Sequence, residues 1–351
     1  MLNTPFPQDA WYALAWQEEA GRKLSHRKVC GHDIVFYRTR AGKVAALADV
    51  CWHRLVPLSK GQLDGDTVVC PYHGLKYEPG GRCVHMPSQD TINPSASVRA
   101  FPVEERHRLV WIWPGDPKLA DPALIPDMSR LDHPDWAGDG THIHAQCNFQ
   151  LVLDNLMDLT HETFVHAGSI GNEAVAEAPF DVSHGERRAK VTRWMIDSVP
   201  ANFWAAQLPG VPRVDRWQII HFTAPSTIQI DVGVAPTGTG APEGDRSQGR
   251  NAWVINTITP ETDSTCHYFW AFVRNFDTTN QSTTNAHRDG VRHVFRQDEE
   301  ILAQQQRAME AYPDKTFYNL NIDAGAMWAR RINQQMLDEE EARRRSLRAV
   351  G

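Results

Sequence analysis

Short apolar runs separated by turn residues fill the first part of the chain. Ile34 to Tyr37 in DIVFYR and Val44 to Val50 in KVAALADV flank the turn residues Ala41-Gly42, a pattern that predicts small antiparallel strands over residues 9–50. Pro79-Gly80-Gly81 supplies a turn between two further strand-like pieces. Pro114-Gly115-Asp116-Pro117 and the Pro- and Asp-rich stretch to Asp135 mark the passage to a second domain, so residues 1–118 and 119–351 are read as separate domains. Residues 178–235 again have strand character, clearest in STIQIDVGV, where Ile228, Ile230, Val232 and Val234 alternate with residues of the other face and predict one buried face. The Gly- and Pro-rich segment Pro236 to Arg250 reads as a mobile loop or hairpin excursion, and NAWVINTIT and HYFWAFVRNF resume strand character. Their inward residues are candidates for the walls of a pocket. From 286 to 311 the period becomes helical, with Val291, Val294, Phe295, Ile301, Leu302 and Met309 forming a stripe assigned to core packing and Pro313 ending the helix. A second helical stretch, MWARRINQQMLDEEEARRR, follows Asp323, which by position is an N-cap. The fold class is α+β, an all-β N-terminal domain followed by a domain with an antiparallel sheet and helices.

Composition narrows the function. The 351 residues carry 41% hydrophobic positions and 12 tryptophans, enough for buried cores. A net charge of −7 and the absence of a Lys/Arg block argue against nucleic acid as the partner. The start, MLNTPFPQDAWYALAWQEE, has neither a basic, apolar leader pattern nor a membrane-length run, and the expectation is a cytoplasmic protein without membrane association. Six cysteines are too few for a disulfide scaffold of this size, and Cys30, Cys83, Cys147 and Cys266 are expected to be buried thiols.

Two clusters of residues carry the chemistry. Cys51-Trp52-His53-Arg54 and Cys70-Pro71-Tyr72-His73-Gly74 each offer one thiol and one imidazole. A zinc finger would place both cysteines before both histidines, whereas the interleaved order suits a Rieske 2Fe-2S centre, in which two thiolates hold one iron and two imidazoles the other. The second cluster is DNLMDLTHETFVH, Asp154 to His166. His161 and His166 are the imidazoles of a candidate two-histidine, one-carboxylate iron site. A five-residue step splays two side chains on a regular helix, so the helix is expected to be distorted or to end here, with Ala167-Gly168 as a stop. Asp158 shares a face with His161 and is expected to orient its other ring nitrogen.

CWHR, CPYHGLKYEPGGRC and DNLMDLTHETFVHAGSIG, with WYALAW, WIWPGD and NIDAG, resemble the oxygenase components of Rieske non-haem iron oxygenases, and within them the vanillate O-demethylase branch, which also resembles dicamba O-demethylase. The resemblance implies a Rieske domain joined to a helix-grip catalytic domain. The expected cofactors are a Rieske cluster on Cys51, His53, Cys70 and His73 and a mononuclear Fe(II) on His161, His166 and Asp323. It implies a homotrimer in which Asp158 links the iron of one chain to His73 of the next, and a separate flavin- and ferredoxin-type reductase that holds the flavin and takes electrons from NADH. The implied reaction is O-demethylation of vanillate to protocatechuate and formaldehyde. The alternatives are demethylation or methyl hydroxylation of another aromatic acid, such as a methoxybenzoate or toluenesulfonate, or a Rieske electron carrier without oxygenase chemistry. Asn155 is a candidate polar contact near the iron, and His267 and Arg216 are candidate substrate contacts. Trp217, Phe269 and Trp270 are assigned to the core, and Lys76 and Arg82 to a solvated face.

Overall fold

The structure, a computed structural model, describes residues 6–350, with side chains to Ser346. Its contacts divide the chain into two compact units: Gln8–Asp127 with Thr259–Thr262, and Met128–Ile258 with the residues from Asp263 onward.

In the first unit ten short strands form three antiparallel sheets. They are β1 (Tyr12–Trp16), β2 (Ser25–Val29), β3 (His32–Arg38), β4 (Val44–Ala48), β5 (Gln62–Asp64), β6 (Thr67–Val69), β7 (Lys76–Tyr77), β8 (Cys83–His85), β9 (Val103–Arg106) and β10 (Leu109–Ile112). The sheets run β1-β10-β9, β2-β3-β4 and β5-β6-β7-β8. Val35, Tyr37, Leu47, Leu58, Val68, Leu75 and Tyr77 form one core around Cys51 and Cys70. That core fixes the bases of the two Cys/His loops. The Pro79-Gly80-Gly81 turn joins β7 to β8, and Gly81 is required twice over: its φ is +86°, and a Cβ would meet the Val98 carbonyl oxygen at 2.1 Å.

The second unit contains β11 (Ala137–Ala145), α1 (Phe149–Met157), α2 (Glu162–Val165), α3 (Glu173–Glu177), β12 (Phe180–His184), β13 (Arg188–Ser198), α4 (Asn202–Gln207), β14 (Val214–Thr223), β15 (Thr227–Pro236), β16 (Arg250–Thr262), β17 (Thr265–Arg274), α5 (Gln281–Ala311) and α6 (Ala324–Val350). One seven-stranded antiparallel sheet has the order β11-β17-β16-β15-β14-β13-β12. The expectation of one buried face on β15 is corrected, because both faces are buried through Ala235. Asp231, on the face expected to meet water, accepts from Trp217 Nε1 at 2.9 Å and from Arg246 at 2.7 Å. Arg246 also lies 4.5 Å over the Trp217 ring. The segment after Pro236 is therefore a hairpin connection anchored by Arg246 rather than a free loop. Helix α5 begins at Asn280, whose side chain caps the amides of Ser282 and Thr283, and ends before Tyr312. Ile301, assigned to its apolar stripe, is exposed. Trp217, Phe269 and Trp270 are buried, as their assignment to the core required. Among the described residues no helix is long and apolar enough to cross a membrane.

Candidate metal centres and substrate cavity

In the first unit the two Cys/His loops bring their four side chains together with the thiols inside and the imidazoles outside. Cys51 and Cys70 are buried and lie within hydrogen-bonding contact of each other. The His53 and His73 rings are exposed, with centroids 4.7 Å apart. The Tyr77 hydroxyl is 3.2 Å from Cys51 Sγ, and the backbone amides of Tyr72 and His73 act to hold the Cys70 thiol pKa down against the burial that raises it. Two adjacent buried sulfurs, one of them in reach of a tyrosine hydroxyl, beside two adjacent imidazoles fit the donor set of a Rieske cluster. Cys83 is buried in the same core, its thiol donating to the His85 carbonyl at 3.3 Å, and all six cysteines are buried thiols outside any disulfide.

In the second unit the histidine segment is broken as expected. Helix α1 stops at Met157, and Asp158 takes an extended conformation (φ −130°, ψ 104°). A 3-10 turn over Leu159–His161 and the single turn α2 follow. This break lets His161 and His166 converge, with ring centroids 5.3 Å apart. His161 Nδ1 donates to the backbone carbonyl of Asp158 at 2.6 Å, and His166 Nδ1 donates to Gln297 Oε1 at 2.8 Å. Each bond reserves Nε2 for the centre. Asp158 thus orients His161 through its main chain; its carboxylate caps the Thr160 amide at 2.9 Å and stands 3.8 Å from Arg193.

The carboxylate that joins these imidazoles is Asp298, from α5. Its Oδ1 is 3.4 Å from His161 Nε2 and 3.2 Å from His166 Nε2. The three ligand atoms all lie within 4.8 Å of one another, close enough to hold one ion. Burial alone would push the Asp298 carboxyl up, but hydrogen bonds from His161 and His166 bring it down to about 2. Two imidazoles and one carboxylate fit a non-haem ferrous ion. The expectation that Asp323 is the third ligand is corrected. Its carboxylate accepts from the Leu320 amide at 2.6 Å as the third residue of the 3-10 turn Asn321–Asp323 ahead of α6, so it caps that turn rather than standing as the N-cap of α6. The sequence does mark Asp298: it is a carboxylate in register with Val291, Val294, Phe295 and Leu302, on the apolar face of the helix.

The three ligands border a cavity of about 230 Å³. Its walls are chiefly apolar, among them Leu156, Ile230, Val232, Val254, Phe272 and Phe295. Part of the α5 stripe assigned to core packing therefore faces this space. Asn155 is also at the centre, with Nδ2 donating to Asp298 at 3.2 Å and lying 3.4 Å from His161 Nε2. Arg216 lines the cavity, but its guanidinium donates to Glu162 Oε2 at 2.8 Å and to the Ile170 carbonyl at 2.9 Å. His267 is not among the lining residues. It is buried on β17, with Nδ1 3.1 Å from His142 Nε2, and stacks on His144.

Residues 10–102 match the Rieske 2Fe-2S domain family, and residues 145–339 match the family described as the vanillate O-demethylase oxygenase C-terminal domain. The chain is 40% identical over 342 residues to the vanillate O-demethylase oxygenase subunit of Pseudomonas sp. (strain HR199 / DSM 7063), covering 96% of each chain. It is 36% identical to the toluene-4-sulfonate monooxygenase system iron-sulfur subunit of Comamonas testosteroni, covering 95% of this chain and 98% of that one. A crystal structure of dicamba monooxygenase with non-haem iron and dicamba superposes with a TM-score of 0.85 at 33% identity, covering 97% of this chain and all of the other. The interleaved Cys/His loops, the two-histidine, one-carboxylate centre and these full-length similarities lead to one conclusion: the chain is a Rieske-type oxygenase component and belongs to the vanillate O-demethylase oxygenase family.

Proposed function

We propose that this protein removes the methyl group of vanillate, giving protocatechuate and formaldehyde. One O2 and NADH are consumed, and the second oxygen atom leaves as water. The electrons come from a separate flavin- and ferredoxin-type reductase. The observation that carries the reading is the His161, His166 and Asp298 centre opening onto an apolar cavity, in a chain similar end to end to a vanillate O-demethylase subunit. A Rieske electron carrier has no use for that second centre.

Cys51, His53, Cys70 and His73 would hold the cluster, and His161, His166 and Asp298 the iron. When bound, these groups supply electrons and the oxygen activation that oxidises the methyl carbon. The chain's own residues do the rest. The Asp158 carbonyl and Gln297 fix both imidazoles with Nε2 directed at the centre, and Asn155 holds the Asp298 carboxylate. Glu162 neutralises Arg216, so that wall presents no net charge. The apolar walls exclude water and seat an aromatic ring. The reading includes a homotrimer in the cytoplasm, in which His73 of a neighbouring copy meets the Asp158 carboxylate. What supports it is that the His53 and His73 rings are exposed and that the Asp158 side chain is not fully buried.

The test is to combine the iron-replete protein with a compatible reductase, NADH, oxygen and vanillate. Protocatechuate and formaldehyde are expected in equal amounts. Normal reduction of the Rieske cluster with neither product would overturn vanillate as substrate. A panel of methoxybenzoates and toluenesulfonate then separates demethylation from methyl hydroxylation.

A further inference from the structure

An aromatic acid must place its carboxylate somewhere, and the cavity interior offers no free cationic partner. The Arg216 guanidinium is engaged by Glu162 and the Ile170 carbonyl. The Ser169 hydroxyl donates to the His166 carbonyl at 3.2 Å, and Asn155 is held at the metal end. Burying a carboxylate among the remaining apolar walls would be costly. The lining residues Gly290 and His293 differ from the others: both are exposed, so they mark the mouth of the cavity. The His293 side chain makes no hydrogen bond or ion pair with the described residues.

Gly290 strengthens the case. It lies inside α5, where glycine is a poorer helix former than alanine. Its φ is outside the left-handed region, and a Cβ would meet nothing within 4 Å. Neither backbone strain nor close packing therefore calls for glycine here. What its missing side chain does provide is room at the mouth beside His293, its neighbour three residues along the helix. Five residues separate His293 from Asp298, a rise of roughly 7.5 Å with the two side chains roughly 140° apart around the axis, and both border the cavity, one at its mouth and one at its metal end.

We propose that His293 receives the substrate carboxylate at the cavity mouth, in the space left by Gly290, so that the ether group points inward to His161, His166 and Asp298. The proposal rests on the aromatic-acid reading above and makes His293 a specificity-determining residue. The charge stays partly solvated, and only the ring and the reacting group enter the apolar interior.

Calorimetric titration of the iron-loaded holoenzyme with 4-hydroxy-3-methoxybenzoate and with the matching uncharged benzamide tests it. The wild type is expected to prefer the acid. His293→Phe should weaken acid binding about tenfold, the loss of one charge-assisted hydrogen bond, and leave amide binding within about threefold, while His293→Gln, which keeps a donor, restores most of the loss. Gly290→Leu should weaken both ligands by filling the mouth. Equal weakening of acid and amide in His293→Phe, or acid binding within threefold of wild type, would overturn the assignment. Wild type that binds neither ligand overturns this inference together with the aromatic-acid reading. Acid preference that depends on His293 without product formation sustains it and removes only the demethylation step.

Discussion

The hydroxyl of Tyr77, 3.2 Å from Cys51 Sγ, stabilises negative charge on a cluster ligand and so favours the reduced state. Tyr77→Phe is expected to lower the Rieske potential by roughly 40 mV, the one-electron equivalent of a hydrogen bond worth about 1 kcal/mol. Redox titration of the visible absorption checks this, and an unchanged potential would remove the hydroxyl from the tuning of the cluster. The two carboxylates Asp298 and Asp323 separate by a similar logic. Asp298→Ala should lose the mononuclear iron and more than about 100-fold of the activity while keeping the Rieske spectrum. Asp323→Ala should keep both metals and lose only about 1 kcal/mol of capping; metal analysis of the two purified variants tells them apart. The histidines were legible because they are close in sequence and of a type suited to iron. Asp298 was not, because its partner relation crosses the fold: its hydrogen-bonded neighbour Asn155 is 143 positions away.

Between elements, a buried ion pair joins the metal-binding segment to the sheet. Glu162 of α2 and Arg216 of β14 are both buried, and Gln218 adds a second donor to Glu162 at 2.8 Å. Arg216→Met would leave Glu162 buried without its counter-charge and is expected to destabilise the protein by about 3–5 kcal/mol. The double variant Glu162→Gln with Arg216→Met should recover much of this; denaturant melts of both check it. At this scale alternation and period located the strands and α5, and a five-residue histidine step called for a distorted or ending helix, with a stop expected at Ala167-Gly168; the break falls earlier, at Asp158. Solvent exposure was harder to read. The second face of β15 is covered by Arg246 and Trp217, side chains from other segments that no local pattern announces. His267 has the residue type of a carboxylate partner, but its strand pairs it with β11, where Ala145, His144, Ile143 and His142 stand opposite Cys266, His267, Tyr268 and Phe269.

For the whole molecule, the proposed path between metals runs through Asp158. Because the carbonyl of Asp158 orients His161 and its carboxylate is left for other partners, the two functions of this residue can be separated by mutation. Asp158→Asn is expected to retain both metals and to slow electron transfer in single turnover by roughly tenfold or more; unchanged single-turnover kinetics would rule out the bridge. Helix α5 has a wider consequence. One continuous hydrogen-bonded rod carries the mouth residues Gly290 and His293, the Gln297 that steadies His166, and the ligand Asp298. The rise of about 1.5 Å per residue sets the separation of rim and carboxylate along the helix axis. A substitution that interrupts α5 between Gly290 and Asp298, such as a proline, is therefore expected to disturb the rim and the metal end together.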